Sequence, residues 1–202
     1  MTPLSSQPVK SADTRWHDGA VTASDRAAAL GFRGATVWLT GLPASGKSTL
    51  AVEVEALLVG AGRPAFRLDG DNLRHGLNGD LGFSAEDRAE NVRRTAHVAA
   101  LLAEAGVVAL VALVSPYAAD RAAARAVHEA AGVPFLEVFV ATSLAECERR
   151  DPKGLYARAR AGDLPGLTGV GDVYEAPAAP ELEIGGAEPI PAAAARVLAE
   201  LG

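Results

Sequence analysis

The residues whose spacing points most directly to chemistry lie at positions 41–49. They fit the pattern G-x-x-x-x-G-K-[ST] at every fixed position. Glycines let a backbone turn tightly enough to direct its N–H groups at phosphate oxygens, and a following helix adds its N-terminal dipole. Lys47 can reach the β- and γ-phosphates of ATP, and Ser48 can offer its hydroxyl to Mg²⁺. We therefore expect a phosphate loop rather than a chance glycine turn, with these ATP contacts: Gly41, Leu42, Pro43, Ala44, Ser45, Gly46, Lys47, Ser48 and Thr49.

Two carboxylates follow a second apolar segment, at Asp69 and Asp71. The carboxyl end of a parallel strand faces the ligand crevice of an α/β sheet. One carboxylate there could join the shell of a magnesium ion, and the other could accept the proton of an attacking hydroxyl. A solvated Asp-Gly turn is the alternative interpretation.

A candidate anion clamp comes next, in the run Gly-Phe-Ser-Ala-Glu-Asp-Arg-Ala-Glu-Asn that starts at Gly82. Arg88 and Asn91 are three residues apart, so they share a helix face. A guanidinium group suits phosphate and sulfate because its donors form a planar fork. The alternatives are an ordinary exposed, salt-bridged helix and a core role for Phe83.

A hinge interrupts a later helical segment at Asp151-Pro152-Lys153-Gly154, with arginines before and after it. A mobile basic segment of this kind can exclude water from a transferring phosphoryl group and offset its charge. We expect a lid at about residues 149–177. A plain solvated helix pair is the alternative.

Composition narrows the class of protein. The chain has 202 residues, 49% hydrophobic and 22% charged, with a net charge of -6. An acidic chain is a poor general binder of nucleic acid, which needs a basic surface. We find no signal-peptide pattern and no apolar stretch long enough to span a bilayer. The single cysteine, Cys147, excludes an intramolecular disulfide and is expected to be a small buried residue. We expect no membrane partner and a cytoplasmic location.

Predicted strands at 35–40, 65–69, 107–114, 135–140 and 182–184 alternate with predicted helices at 47–59, 84–104, 120–131, 143–161 and 191–201. Strands that alternate with helices indicate a parallel sheet covered on both faces. The predicted class is α/β, with a P-loop nucleoside-triphosphate-hydrolase-like three-layer fold, a mostly parallel sheet and a mobile lid. Residues 1–13 are expected to be disordered, and a short helix is expected within 14–33.

Together these motifs resemble the adenylylsulfate kinase family. The resemblance is carried by GLPASGKST, by DGDNLRHGLNGDLGFSAEDRAENVRR, and by three later runs: SPY with DR, CERRDPKGLY, and TG with YEAP. It extends over nearly the whole chain after residue 14, including Trp16-His17. The phosphate loop is shared with many other proteins, whereas several of the other motifs are specific. The resemblance implies ATP-dependent phosphorylation of the 3′-hydroxyl of adenosine 5′-phosphosulfate, in a kinase domain at 34–202 preceded by an N-terminal extension at 1–33.

The resemblance also implies roles for particular residues. Asp71 would be the base near the 3′-hydroxyl, and Asp69 and Ser48 would orient magnesium. Arg74, Arg88 and Asn91 would hold the phosphosulfate, and Phe83 would stack on the acceptor adenine. Ser115 matches a serine described in this family as a phosphoserine intermediate, but direct in-line transfer fits the chemistry better, with Ser115 as a binding residue. The remaining implied site residues are Lys47 and Arg150 for ATP, and Pro116, Lys153, Gly154, Leu155 and Leu167 for the acceptor.

Two departures from the family pattern stand out. Leu167 stands where the family usually has a phenylalanine, and Asp172 is displaced by one residue from the usual aspartate. Both changes fall where the second face of the acceptor adenine would be covered. They bear on acceptor affinity rather than on the class of reaction.

Two other functions compete with this interpretation. One is a small-molecule kinase with a sugar, shikimate or nucleotide acceptor, which the run from Phe83 to Arg94 disfavours. The other is a regulatory nucleotide-binding protein without catalysis, which the presence of Lys47, Asp69 and Asp71 disfavours. Ser115 could also be a helix cap before Pro116. Resemblance to a family that is often dimeric raises a homodimer and a functional link to ATP sulfurylase as further expectations.

Overall fold

The structure is a computed structural model that describes residues 13, 15, 17 and 19–202. Its helices and strands follow one another in this order: α1 (Ala23–Leu30), β1 (Ala35–Thr40), α2 (Lys47–Gly60), β2 (Ala65–Asp69), α3 (Gly70–Leu73), α4 (Ala85–Glu104), β3 (Val108–Ala112), α5 (Ala118–Ala131), β4 (Phe135–Ala141), α6 (Leu144–Arg150), α7 (Leu155–Arg160), β5 (Leu182–Gly185) and α8 (Ile190–Leu201).

The strands form one five-stranded parallel sheet in the order β2-β3-β1-β4-β5. The strands β1 and β3 are buried along their whole length because both lie inside the sheet. The continuous apolar sequence of β3 is typical of a strand covered on both faces, whereas β1 also buries Thr36 and Thr40. The edge strand β2 instead leaves Phe66 56% exposed.

Helices cover both faces of the sheet, which confirms the predicted three-layer α/β fold. On one face α2 and α8 pack on Val37 and Leu39 of β1, and on the other α4 and α5 pack on Trp38. Alanine dominates the α4 contact surface, with Ala96, Ala99 and Ala100 fully buried. Such small side chains let the helices lie close to the sheet, as expected for a chain with few aromatic residues.

Most predicted elements are confirmed to within a few residues. The expected short helix is α1, which begins with a capping box between Thr22 and Asp25. The turn interpretation at Gly70 is wrong. A helix, α3, begins there because the side chain of Asp69 accepts the N–H of Asp71 as its cap. The predicted disorder at the start of the chain concerns residues that lie, except for position 13, outside the described ones, as does Trp16.

Among the described residues, every helix is too short or too polar to span a bilayer.

Candidate active site

A cavity of about 480 Å³ opens at the carboxyl ends of the strands, between the phosphate loop, α3, α4 and the segment after α6. Its wall brings together most of the predicted site residues. These are Pro43, Ala44, Ser45, Gly46, Lys47, Ser48, Thr49, Asp69, Asp71, Arg74, Phe83, Arg88, Asn91, Ser115, Pro116, Arg150, Lys153, Leu155 and Leu167. Gly41, Leu42 and Gly154 do not line it. Tyr156 and Thr168 line it although they were not among the predicted site residues.

Several residues of the phosphate loop have backbone conformations that residues with a side chain rarely adopt. Gly41 has φ 151° and Gly46 has φ 111°, and a Cβ atom on Gly41 would lie 2.7 Å from the carbonyl oxygen of Val140. Ala44 has φ 60°, a left-handed value that costs a non-glycine residue energy. The loop is therefore a constrained turn at the start of α2, and the helix N-terminus faces the cavity.

Lys47 closes the phosphate loop from within. Its Nζ donates to the carbonyl oxygens of Gly41 and Leu42 at 2.9 and 2.7 Å and to Oγ of Ser45 at 3.2 Å. Burial lowers the pKa of the Lys47 ammonium to about 8, and Cys147, Asp69 and Asp71 oppose this shift. The ammonium is thus desolvated and held by carbonyls, a state in which anionic phosphate oxygens would be favourable partners.

Groups from beyond β4 brace the loop from outside. Arg150 donates to the carbonyl oxygens of Ser45 and Gly186 at 3.2 and 2.6 Å. Thr142 donates its hydroxyl to the same Ser45 carbonyl at 2.7 Å. Two of these donors therefore hold the Ser45 carbonyl of the phosphate loop, and the third ties Arg150 to the segment after β5.

Asp69 and Asp71 lie in different environments. Asp69 is 6% exposed; its Oδ1 accepts from the N–H of Asp71 at 3.0 Å and its Oδ2 lies 3.5 Å from Arg67. Asp71 has a side chain 65% exposed and pairs with Lys153. The exposed carboxylate of Asp71 lies on the open cavity, where it could meet a substrate hydroxyl, whereas the carboxylate of Asp69 is held in place by its partners.

The hydroxyl of Ser48 and the carboxylate of Asp69 line the same cavity. Hydroxyl and carboxylate oxygens are ligands that Mg²⁺ accepts, and the ion usually takes its other ligands from phosphates and water. The residues present therefore fit a magnesium ion.

Phe83 lies beside two guanidinium groups. The Cζ of Arg74 is 4.1 Å from the ring centroid and that of Arg88 is 5.9 Å. Phe83 is 66% exposed, so the alternative of a core residue is wrong. Burial, and then the neighbouring Arg88, lower the pKa of Arg74. An exposed aromatic face beside two crowded cations is an arrangement that can bind a base and an anion together.

Backbone contacts fix both arginines. Arg74 donates to the carbonyl oxygens of Leu81 and Gly82, each at 2.9 Å. Arg88 donates to Phe83 at 3.0 Å and to Gly166 at 2.9 Å. Arg88 and Asn91 both line the cavity, so the expected shared face of α4 is present.

Ser115 is 3% exposed and lies in a buried polar group at the end of β3. Its Oγ accepts from the indole N–H of Trp38 at 3.2 Å and donates to Oγ1 of Thr40 at 2.9 Å. The backbone of Ser115 has φ 39°, a left-handed value. Tyr117, not Ser115, is the N-cap of α5, so the helix-cap interpretation is wrong.

Asp172, which is displaced by one residue from the family pattern, contacts Arg88, a residue expected to bind the acceptor. Its Oδ2 accepts from the hydroxyl of Tyr117 at 2.8 Å and lies 3.7 Å from Nε of Arg88. The loop at residues 164–174, termed the late loop, is thereby tied to both α4 and the start of α5. Leu167, 8% exposed, packs with Cys147 and Tyr156 while still lining the cavity.

The expected lid, at about residues 149–177, contains α7 and the last two residues of α6, and the two helices are separated by a break at the predicted hinge. Of its basic residues, Arg150 and Lys153 line the cavity. Arg149 pairs with Glu146 and Arg160 with Glu148, and neither of these arginines lines the cavity. Cys147 is fully buried, as predicted, and burial raises the pKa of its thiol.

Comparisons with known proteins agree with this geometry. A family model described as adenylylsulphate kinase matches residues 33–185. The adenylyl-sulfate kinase of Citrobacter koseri is 53% identical over 172 residues, which cover 85% of this chain and 84% of that protein. The bifunctional enzyme CysN/CysC of Mycobacterium tuberculosis is 55% identical over 174 residues, 86% of this chain but only 28% of that longer protein.

A solved structure shows the same fold. The Mycobacterium tuberculosis APS kinase CysC in complex with AMPPNP and APS superimposes with a TM-score of 0.81 at 54% identity, covering 83% of this chain and 96% of that one.

Proposed function

Because this chain belongs to the adenylylsulfate kinase family, we propose that it transfers the γ-phosphoryl group of ATP to the 3′-hydroxyl of adenosine 5′-phosphosulfate. The products are 3′-phosphoadenosine 5′-phosphosulfate and ADP, a step of sulfate assimilation. The observation that carries the proposal is that one cavity contains a phosphate loop, the exposed carboxylate of Asp71 and two arginines beside an exposed phenylalanine.

The donor half would be the phosphate loop. Its N–H groups and Lys47 would hold the β- and γ-phosphates, and Arg150 would keep the loop in shape. Ser48 and Asp69 would hold Mg²⁺, which offsets charge on the phosphates when bound. The contribution of this chain is positioning and electrostatic stabilisation, which carry most of the catalysis in phosphoryl transfer.

Asp71 would act as the base. It would accept the proton of the 3′-hydroxyl while the new bond from that oxygen to the γ-phosphorus forms and the bond to the β,γ-bridging oxygen breaks, so that ADP leaves. Lys153 is paired with Asp71. Phosphate oxygens arriving in the cavity would compete for this ammonium and free the carboxylate.

The acceptor half would lie between Phe83 and Leu167. The adenine would stack on Phe83, and Arg74, Arg88 and Asn91 would bind the phosphosulfate. Ser115 and Pro116 would form the floor of this half, since both line the cavity. The Ser115 hydroxyl is already engaged with Trp38 and Thr40, which supports direct transfer without a phosphoserine.

Residues 149–177 would move as a lid of the domain at 34–202. Gly154 would be the hinge, because glycine adopts its φ of 65° without steric cost and can change conformation easily. Lys153 and Leu155 would then close over the ligands. A homodimer, a functional link to ATP sulfurylase and a cytoplasmic location stay predictions.

An acceptor comparison tests the proposal. With Mg-ATP, we expect kcat/KM for adenosine 5′-phosphosulfate to exceed that for AMP by at least about 100-fold, because AMP would leave buried donors unpaired. Equal values for the two acceptors would favour a general nucleotide kinase. Absence of ADP release under saturating ligands would favour a regulatory protein.

A further inference from the structure

The side-chain amides of Asn78 and Asn91 form a buried pair at the side of the cavity proposed to bind the acceptor. The Nδ2 of Asn78 donates to Oδ1 of Asn91 over 2.8 Å, although the residues are 13 positions apart. Asn78 is 0% exposed and Asn91 is 8% exposed. Asn91 lines the cavity and Asn78 does not. Asn78 is therefore a support for a cavity residue, not itself a ligand contact.

This pairing decides which end of the Asn91 amide is left for a ligand. A side-chain amide has one oxygen acceptor and one NH₂ donor. Since the oxygen of Asn91 is turned toward Asn78, the NH₂ group is the end of the amide left for a ligand, and within the part of the chain that the structure describes this group makes no hydrogen bond. Arg74 and Arg88 line the same cavity, so a third donor there suits an anion.

Asn78 is itself fixed by the backbone. Its N–H donates to the carbonyl oxygen of Leu73 at 2.9 Å, and its carbonyl oxygen accepts from Leu81 at 3.2 Å. Leu73 is the last residue of α3, the helix that carries Asp71. The position of the Asn78 amide is therefore set relative to the proposed base.

The amide of Asn78 is not explained by stability alone. Its Oδ1 is buried without a hydrogen-bond partner among the described residues. An unpaired buried oxygen destabilises a folded protein, whereas an apolar side chain of similar volume would avoid that cost. The favourable contact that the amide does make is the one to Asn91.

We propose that Asn78 is a positioning residue for the acceptor, which holds the Asn91 amide with its NH₂ group toward the cavity. The inference rests on the proposed function, because it assigns a residue to the acceptor half of that site. The inference also says which residue donates the hydrogen bond, Asn78, and which accepts it, Asn91. A substitution at position 78 can reverse these roles.

Asn78→Asp reverses the direction. A carboxylate accepts but does not donate, so Asn91 would turn its NH₂ group toward position 78 and present its oxygen to the cavity. We expect the KM for adenosine 5′-phosphosulfate to rise about 10- to 100-fold, with the KM for ATP unchanged within about twofold. Asn78→Leu is the matched control. It removes the hydrogen bond without reversing it and should raise the acceptor KM less, about 3- to 10-fold.

A double-mutant cycle isolates the route of the effect. In an Asn91→Leu background, Asn78→Asp should change the acceptor KM no further. Independent, multiplying effects would overturn the inference, as would an equal rise in both KM values or equal effects of Asn78→Asp and Asn78→Leu. Circular dichroism checks that each variant folds. If Asn78→Asp does not fold, Asn91→Asp replaces it, because this variant keeps the acceptor for Asn78 and presents oxygen to the cavity; a normal acceptor KM would then overturn the inference.

The outcome for the proposed function is read separately. Calorimetric titration of each variant with adenosine 5′-phosphosulfate and Mg-ADP measures Kd without turnover. A wild-type protein that binds this acceptor but does not phosphorylate it would reject the proposed function, while the Kd series still tests Asn78. A wild-type protein that does not bind the acceptor would overturn both.

Discussion

The hydroxyl of Tyr156 in α7 donates to the carbonyl oxygen of Pro43 in the phosphate loop at 3.0 Å. The two residues are 113 positions apart, and the ring of Tyr156 is buried with Cys147 and Leu167. This bond joins the expected lid directly to the donor half of the cavity. Closure of the lid and the shape of the phosphate loop are therefore expected to be linked.

Tyr156→Phe should loosen this link while the ring packing is retained. Loss of one such bond removes about 1 kcal/mol, so kcat/KM for ATP should fall by up to about fivefold, with a decrease in melting temperature of only about 2–4 °C. Tyr117→Phe is the matched control, since its hydroxyl bonds Asp172 on the acceptor side. Steady-state kinetics with each substrate varied should show a donor effect for one variant and an acceptor effect for the other. Identical patterns would contradict the assignment of the two halves.

Binding of ATP should take up protons near pH 8. Burial lowers the pKa of Lys47 to about 8. The phosphate oxygens of bound ATP would raise the pKa of this ammonium group again. At that pH, binding should therefore be coupled to uptake of about half a proton per site, with the coupling lost below about pH 7. Calorimetry in buffers of different ionisation enthalpy measures this number. Lys47→Arg, which stays protonated, should abolish the uptake; proton release in the wild type would refute the explanation.

Asp71→Asn should disable transfer while ATP still binds. An amide keeps the shape of the side chain but cannot accept the hydroxyl proton, and loss of a general base costs about 10²–10⁴-fold in kcat. Asp69→Asn, in contrast, should mainly raise the magnesium concentration needed for half-maximal rate. Single-turnover rates and magnesium titrations compare the two. If Asp69→Asn loses the rate and Asp71→Asn keeps it, the roles are reversed.

Leu167→Phe should tighten acceptor binding. A phenylalanine could stack on the adenine face opposite Phe83, and part of the roughly 1–3 kcal/mol of aromatic stacking would be gained, or about fivefold in Kd. Because Leu167 is 8% exposed and packs on Tyr156, the larger ring should also lower stability. Calorimetry with adenosine 5′-phosphosulfate and Mg-ADP measures the gain. Weaker acceptor binding would mean that the late loop covers the base differently.

The sequence alone predicts the features that depend on local rules. β3 is a continuous apolar run because both faces of the sheet are covered, and the phosphate loop is predicted from fixed glycine and lysine spacing. Other features depend on contacts between distant residues. Asp172 meets Tyr117 and Arg88 only once the late loop folds back.

Two residues were harder to predict for different reasons. Asn78 lies in a glycine-rich run, where a polar residue normally indicates an exposed turn. Its burial and its hydrogen bond to Asn91 became evident only in the structure. Tyr156 was part of a motif, but its contact with Pro43 needs the lid to fold over the loop. Neither the contact of Asn78 with Asn91 nor that of Tyr156 with Pro43 can be predicted from periodicity or local spacing in the sequence.

The central claim is that this cavity transfers the γ-phosphoryl group to the 3′-oxygen of adenosine 5′-phosphosulfate. Incubation of the purified protein with γ-¹⁸O-labelled Mg-ATP and this acceptor, followed by mass spectrometry and phosphorus NMR of the products, tests it most directly. We expect labelled 3′-phosphoadenosine 5′-phosphosulfate in equal amount to ADP, and a rate at least about 10²-fold lower for folded Lys47→Ala. Label in inorganic phosphate only, at another hydroxyl, or at an undiminished rate in Lys47→Ala would contradict the claim.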